Sequence, residues 1–208
     1  ELLLNCALYW AKAIKLHEQS PELAWEAVLN ANACRKDCTY PQTREKMTFF
    51  VGYVLYRIKK SKKGIELLEK ELQTLTLKSQ VQEKIVCLKA LGKLCLVEGL
   101  APEAKTYYSQ AIDIQEERDD HAFHVFECRI GILKAAVMED SVSKEKPVLD
   151  KALLSSAMTS PTNNEKCFFL KETGEFCQSI GEVGDARLCY IAALRLATEL
   201  PASDEKCS

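Results

Sequence analysis

The sequence has few of the residues that interrupt helices: its 208 residues include 8 glycines and 6 prolines. It lacks the alternation of apolar and polar residues that is typical of half-buried strands. It also lacks runs rich in Val, Ile and Thr that turns would bound. No apolar run approaches the roughly 20 residues that a membrane-spanning helix needs. With 47% hydrophobic residues, the composition indicates a globular, helical chain.

The sequence also lacks a charge bias and catalytic motifs. Its net charge of −2 gives no general attraction to nucleic acid or to an anionic membrane. No GxSxG, Walker-type, HExxH or dinucleotide-binding motif is present. We therefore expect no catalytic residues, no cofactor and no enzyme activity, and a partner that is neither nucleic acid nor membrane.

Cysteine is plentiful, with ten residues, but no CxxC pair occurs. Disulfide frameworks belong to small, loop-rich secreted chains, whereas buried free thiols behave as small apolar side chains. Four cysteines fall on the apolar stripes of predicted helices: Cys6, Cys95, Cys128 and Cys177. This placement indicates a reducing compartment, the cytosol or the nucleus. The chain opens on ELLLNCALYW without an initiator Met, so we expect a fragment of a longer protein.

The stretch from Lys89 to Ile114 predicts two helices joined by a tight turn. Gly99 ends the first helix, and Pro102 suits the first turn of the second, where a missing N–H costs nothing. Small residues that let the two helices approach are Gly92, Ala104 and Ala111. We expect Tyr108 to fill the space between the helices.

Counterparts of Gly92 recur along the chain. They are Gly52, Gly131 and Gly174, so that the four glycines are separated by 40, 39 and 43 residues. The second helix of each unit tests this register. Matching positions in the first and fifth units are Ala24, Val28 and Ala31, and Ala186, Tyr190 and Ala193. In the second unit Gly64 and Leu68 fit, but Glu71 stands where a small residue is expected.

This pattern resembles the tetratricopeptide repeat, whose signature is a Leu-Gly pair, a Gly turn, then Ala, an aromatic residue and Ala. The period is longer than the common 34 residues and is similar to an extended subclass of about 40 residues, found for example in kinesin light chain. The resemblance implies an all-α solenoid of about five antiparallel helix pairs in a right-handed superhelix. It also implies a non-enzymatic scaffold that binds a peptide or a partner helix on its concave face.

We predict one helical-repeat domain over residues 1–208, with units at 2–36, 42–78, 80–117, 121–158 and 164–200. The predicted helix pairs are 2–18/21–36, 42–60/63–78, 80–99/101–117, 121–139/145–158 and 164–181/184–200. The fourth unit fits only if two extra residues are admitted in the loop at 140–146.

Two groups of side chains have the spacing of a weak metal site. His121, His124 and Cys128 lie three and four residues apart, and Cys34 and Cys38 are one helical turn apart. No fourth ligand accompanies the first group. We interpret both groups as ordinary helix residues and predict no metal site.

The basic stretch from Arg57 to Lys63 is the strongest charge run. We place it at the end of one helix and in the following turn, where lysine is favoured by the exposed carbonyls and the helix dipole. That location provides a structural interpretation. Contact with a phosphate or an acidic partner is the functional alternative.

The resemblance also implies which residues face a ligand, because the first helix of each repeat lines the concave face. The implied partner-binding residues are Phe49, Tyr53, Tyr56, Arg57, Lys89, Lys93, Leu96, Lys171 and Glu175. Aromatic beside basic side chains suit an acidic peptide with apolar anchors. The ninth positions lack the Asn with which chaperone-binding members hold a terminal carboxylate, so that ligand is not expected. Burial of Phe49 and Tyr53 between repeats is the structural alternative.

Two other functions stay open at this point. One is a nucleic-acid or small-ligand sensor that uses the basic stretch, and the other is an architectural segment without its own ligand. The last predicted helix is apolar on several faces, with Leu188, Ile191 and Leu194 among its residues. We therefore expect that the tail, a second copy or the rest of the parent chain covers it.

Overall fold

The computed structural model of the chain describes residues 2–57, 61–76, 80–116, 122–139 and 163–199. Within these ranges the chain forms nine α-helices and no β-strand. The helices are α1 (Leu2–Leu16), α2 (Pro21–Lys36), α3 (Pro41–Arg57), α4 (Ser61–Thr74), α5 (Val81–Val97), α6 (Ala101–Glu116), α7 (Ala122–Glu139), α8 (Asn163–Ser179) and α9 (Val183–Glu199). The expected all-α class is confirmed.

The helix ends follow the local sequence signals. Pro21 occupies the start of α2, and two turns with Gly99 and Gly181 separate α5 from α6 and α8 from α9. The largest difference from the expected bounds is at the end of α4, predicted at residue 78 and observed at Thr74. The predicted helix at 145–158 lies outside the described residues.

The chain divides into two compact units, residues 1–117 and 118–208. From here on these two are called the first and the second unit, and the predicted repeats are called helix pairs. In the first unit, helices contact near neighbours in the chain. The first helix of each pair packs on the first helix of the next, as α1 does on α3 and α3 on α5, while α2 packs on α3 and α4 on α5. This is the contact pattern that a helical repeat makes. The extension of the pattern to a five-pair solenoid stays a prediction.

The second unit contains α7, α8 and α9, which pack in chain order. Its apolar core contains Phe126 and Ile130 from α7 and Phe169 and Phe176 from α8. The rings of Phe126 and Phe169 meet edge to face, with centroids 4.3 Å apart. This geometry is favourable for aromatic pairs.

The pairs α5/α6 and α8/α9 repeat the same details. Gly99 and Gly181 have positive φ angles of 76° and 81°, which glycine adopts without strain. The following amides close matching caps: Leu100 N–H donates to Cys95 O, and Glu182 N–H to Cys177 O, both at 2.9 Å. These are the bonds of a Schellman cap. The two helix pairs are thus built alike from the same register of residues.

The expected close approach of helices at Gly92 is confirmed. A Cβ atom added at Gly92 would lie 2.7 Å from Tyr108 Cζ, and one added at Gly174 would lie 2.7 Å from Tyr190 Cε1. Glycine is needed here because the tyrosine ring lies directly over the helix backbone. The repeated contact explains why Gly and Tyr recur sixteen residues apart in both pairs.

Candidate protein-binding surfaces

The expected binding surface in the first unit lies on α3 and α5, which pack directly. A Cβ atom added at Gly52 would lie 2.6 Å from Ala90 Cβ. Just beyond this contact, at equivalent positions of the two helices, Tyr53 is 44% exposed and Lys93 is exposed. Leu96 is half-buried. The structural alternative of a buried Tyr53 is therefore wrong.

Lys89 is the member of the predicted set whose position differs from the expectation. It is 7% exposed, so the residue offers little surface to a partner. The predicted side chains of Phe49, Tyr56 and Arg57 lie outside the described ones. The described part of this surface consists of Tyr53, Lys93 and Leu96.

In the second unit, the predicted residues Lys171 and Glu175 pair with each other. Lys171 Nζ lies 3.3 Å from Glu175 Oε1, one helical turn away. Lys171 is exposed and Glu175 is half-buried. Lys134 Nζ on α7 lies 4.0 Å from Glu175 Oε2 and 2.8 Å from Glu172 Oε2. These carboxylates are therefore partly neutralised within the unit.

The basic stretch is placed differently from the expectation. Because α3 ends at Arg57 and α4 begins at Ser61, Lys62 and Lys63 lie in the first turn of a helix, where the dipole disfavours a positive charge. The explanation by a helix C-terminus is therefore wrong for these two residues.

Two neighbouring side chains stabilise the positive charge of Lys63 at this position. Its ammonium lies 5.5 Å from the centroid of the Trp25 ring and 4.0 Å from Glu22. A cation over a tryptophan face is stabilised by the ring electrons. Lys62 is exposed, whereas residues 58–60 lie outside the described ones.

A buried ionic network that the sequence did not predict joins α2, α3, α4 and α5. At its centre Arg35, 3% exposed, donates hydrogen bonds to both Glu71 and Glu83. Glu71 also pairs with Lys36 at 2.7 Å, and Glu83 accepts from Arg44 Nε at 2.6 Å. Further contacts of the Arg35 guanidinium are Asn32 Oδ1 at 2.9 Å and Thr48 Oγ1 at 3.3 Å.

The network lines a cleft of about 260 Å³. Burial by itself would raise the pKa of Glu71, but the hydrogen bond from Lys36 and the charge of Arg35 outweigh it and lower that pKa. Glu71 is therefore ionised near neutral pH and is poorly suited to act as a general acid or base. Because the cleft's carboxylates already have cationic partners, the network connects helices rather than offering an open ligand site.

The metal-like spacings gain no support within the described residues, where no three His, Cys, Asp or Glu side chains come together as a metal site would require. Cys128 and Cys38 are buried, and Cys34 is half-buried. His121 and the side chain of His124 lie outside the described part of the chain.

All nine cysteines that the structure describes are free, and the four expected on apolar stripes are buried. Burial raises the pKa of Cys6 and Cys87 to about 12 and that of Cys95 and Cys177 to about 11. A thiol that stays protonated is a poor nucleophile. The side chains of Cys6, Cys87, Cys95 and Cys177 therefore act as packing groups.

The second unit carries an apolar groove along α9. Its volume is about 540 Å³, and its lining residues are Gln178, Val183, Ala186, Arg187, Tyr190, Ile191 and Leu194. The expectation of several apolar faces on this helix is confirmed. Leu188 and Ile191 are 65% and 38% exposed, so the described part of the chain leaves this face uncovered.

No helix in the described ranges has both the length and the apolar character needed to cross a membrane. No protein-family model and no characterised protein sequence matches the chain. Among solved structures, the crystal structure of BtubC (BKLC) from P. vanneervenii is similar, with 12% identity and a TM-score of 0.51 over 99% of this chain and 95% of that chain. At this identity the likeness concerns the fold alone.

Proposed function

We propose that the chain is a non-enzymatic helical-repeat scaffold of the tetratricopeptide type that binds a peptide or partner helix along its first helices. The observation that carries this proposal is that Tyr53 on α3 and Lys93 on α5 are both exposed. They occupy equivalent positions of neighbouring helix pairs. A tyrosine offers apolar area and a polar tip, and such residues are enriched among those that dominate binding energy. A neighbouring lysine favours an acidic partner.

The repeat geometry supports the same proposal. Matching glycine caps and Gly–Tyr contacts in α5/α6 and α8/α9, with the nearest-neighbour packing of α1 to α5, are the features of stacked helix pairs. Stacks of this kind present extended surfaces rather than closed pockets. The free, buried cysteines favour a reducing compartment, so we place the scaffold in the cytosol or nucleus.

A nucleic-acid or anionic-ligand sensor is the alternative that the basic stretch favours. Lys63 is engaged with Trp25 and Glu22, which leaves exposed Lys62 as the described lysine for this role. An architectural segment without a ligand is the other alternative. Both alternatives predict that changes at Tyr53 and Lys93 leave partner binding unaltered.

The test is affinity capture from a cell extract, with mass spectrometry of the retained proteins. The parent chain is compared with a Tyr53→Ala/Lys93→Glu variant, and Lys62→Glu is the matched control because it alters an exposed lysine outside the proposed surface. We expect loss of specific partners from the double variant alone. Partners retained by the double variant, or lost from the control, would contradict the proposal. Binding of a random duplex that falls steeply with salt would favour the sensor instead.

A further inference from the structure

The outward face of α9 is unusually apolar. Four of its residues, Val183, Leu188, Ile191 and Leu194, are 69%, 65%, 38% and 66% exposed. Val183, Ile191 and Leu194 follow one stripe at separations of eight and three residues, and Leu188 lies beside it. The opposite side of the helix carries buried Cys189. Apolar residues therefore cover both sides of this helix.

The groove beside this face has the form of a helix-binding site. It runs along α9 and reaches Gln178 near the end of α8, whose side chain accepts a hydrogen bond from Tyr190 Oη at 3.2 Å. A partner helix with apolar residues at i, i+3 or i+4, and i+7 buries such a stripe, as in other helix-in-groove complexes. The stripe runs from Val183 to Leu194, which is about three helical turns.

The charge of the face defines the partner more closely. Arg187 lines the groove, and Arg195 follows the lining residue Leu194 in the chain; both arginines are exposed. Neither guanidinium forms a salt bridge with another described residue. The nearby acidic residues Glu182 and Asp185 lie before α9 and in its first turn, and neither lines the groove. The groove thus combines apolar anchoring positions with positive charge alone.

We propose that this α9 face is a docking surface for an amphipathic helix of a partner protein, with Asp or Glu beside the partner's apolar stripe. Its carboxylates pair with Arg187 and Arg195 while its apolar residues fill the groove. The proposal rests on the second unit by itself and uses neither Tyr53 nor Lys93. It is therefore independent of the proposed surface on α3 and α5.

Two other occupants fit the face less well. A second copy of the chain, paired through α9, would bring the arginines of both copies together on one small apolar interface, and like charges there disfavour association. Residues 200–208, LPASDEKCS, follow α9 directly. They contain one large aliphatic residue, too few to cover four exposed apolar side chains.

The experiment selects displayed 18-residue helical peptides on the parent chain. Counter-selection uses a Leu188→Glu/Leu194→Glu variant, which should stay folded because both side chains are exposed. We expect the enriched peptides to be amphipathic and acidic, and the variant to bind them at least ~10-fold more weakly. Unchanged circular dichroism and melting temperature would show that the variant is intact.

A charge exchange separates this proposal from nonspecific hydrophobic binding. Arg187→Glu/Arg195→Glu should lose the acidic peptides and bind versions in which their Glu and Asp are replaced by Lys. Lys70→Glu, an exposed change on α4 outside the groove lining, is the matched control and should bind like the parent. Restored binding by the exchanged charges would identify the two arginines as the selective groups.

Several results would overturn the proposal. They are enrichment of peptides without an acidic preference, no peptide that distinguishes parent from variant, or binding only after residues 200–208 are removed. A dimer by light scattering that Leu194→Glu dissociates would assign the face to a second copy. Since none of these variants alters Tyr53 or Lys93, a negative result here would not contradict the proposed function.

Discussion

Arg35, near the end of α2, donates a hydrogen bond to Glu71, near the end of α4, and both side chains are buried. Glu71 occupies the position where the predicted repeat register has a small residue. Its carboxylate forms an ion pair with Arg35 that crosses from the first helix pair to the second. Through Glu83 on α5, Arg35 extends the link to the third pair.

Removal of Arg35 should be strongly destabilising. Arg35→Met leaves Glu71 and Glu83 buried with fewer partners, and breaking a buried pair of this kind costs about 3–5 kcal/mol. The measurement is the free energy of unfolding in urea. Arg129→Met, an exposed change on α7, is the control and should cost little. If Arg35→Met unfolds the chain, Glu71→Gln gives the milder test; near-parent stability of both variants would contradict the network's role.

The same network predicts loss of stability in acid. The folded-state pKa of Glu71 lies below its ordinary 4.5, so the folded state binds fewer protons than the unfolded state. Its stabilising contribution is therefore present above pH 4.5 and declines as the pH falls through the lower folded value. Urea unfolding between neutral and acidic pH should show the difference between parent and Glu71→Gln shrinking in acid. Glu66→Gln, an exposed change on the same helix, is the control for removing a carboxylate outside the buried network.

Helix periodicity and glycine spacing were sufficient to predict the helices that the structure describes, because these signals are local. The Gly92–Tyr108 contact followed from size alone: a residue without a side chain faces a large ring. The network around Arg35 could not be predicted, since periodicity does not say which charged residues are buried together. Glu71 was the available signal, as it broke the pattern of small residues.

The position of Lys89 shows the limit of carrying a family pattern to a new chain. Its repeat register placed it on the binding face, but burial depends on how far neighbouring elements extend over that position. Tyr53 and Lys93 follow the same register and are exposed. The α9 groove was foreseen as an apolar helix, whereas its positive character required knowledge of which residues line it.

Replacing Gly92 by Ala should destabilise the first unit. The new methyl group would lie 2.7 Å from Tyr108 Cζ, and the overpacking that follows costs about 1–3 kcal/mol. Gly184→Ala is the matched control, because a Cβ atom there meets nothing within 4 Å and alanine favours helix. Thermal unfolding of both variants checks the prediction. Combining Gly92→Ala with Tyr108→Leu should recover part of the loss, and an additive loss would contradict a direct contact.

The cysteines should divide into a group that is alkylated quickly and a group that is alkylated slowly. Because burial raises the pKa of Cys6 and Cys87 to about 12, their thiols should resist alkylation in the folded chain at neutral pH. Half-buried Cys34 and Cys167 should react sooner. Mass spectrometry after a timed iodoacetamide pulse measures each site, and the same pulse in denaturant is the control. Labelling of Cys87 as fast as Cys34 in the folded chain would contradict its burial.

Charge reversal at Lys89 and at Lys93 should have different consequences. Lys89 is 7% exposed, so Lys89→Glu places an opposite charge among the contacts that bury the lysine and should cost about 1–3 kcal/mol. Lys93 is exposed, so Lys93→Glu should leave the melting temperature nearly unchanged while weakening an acidic partner, more strongly at low salt. Melting curves and a salt series of partner binding separate the two effects. Equal melting temperatures for the two variants would show that Lys89 is not held in the packing, and unchanged binding by Lys93→Glu at low salt would remove it from the binding surface.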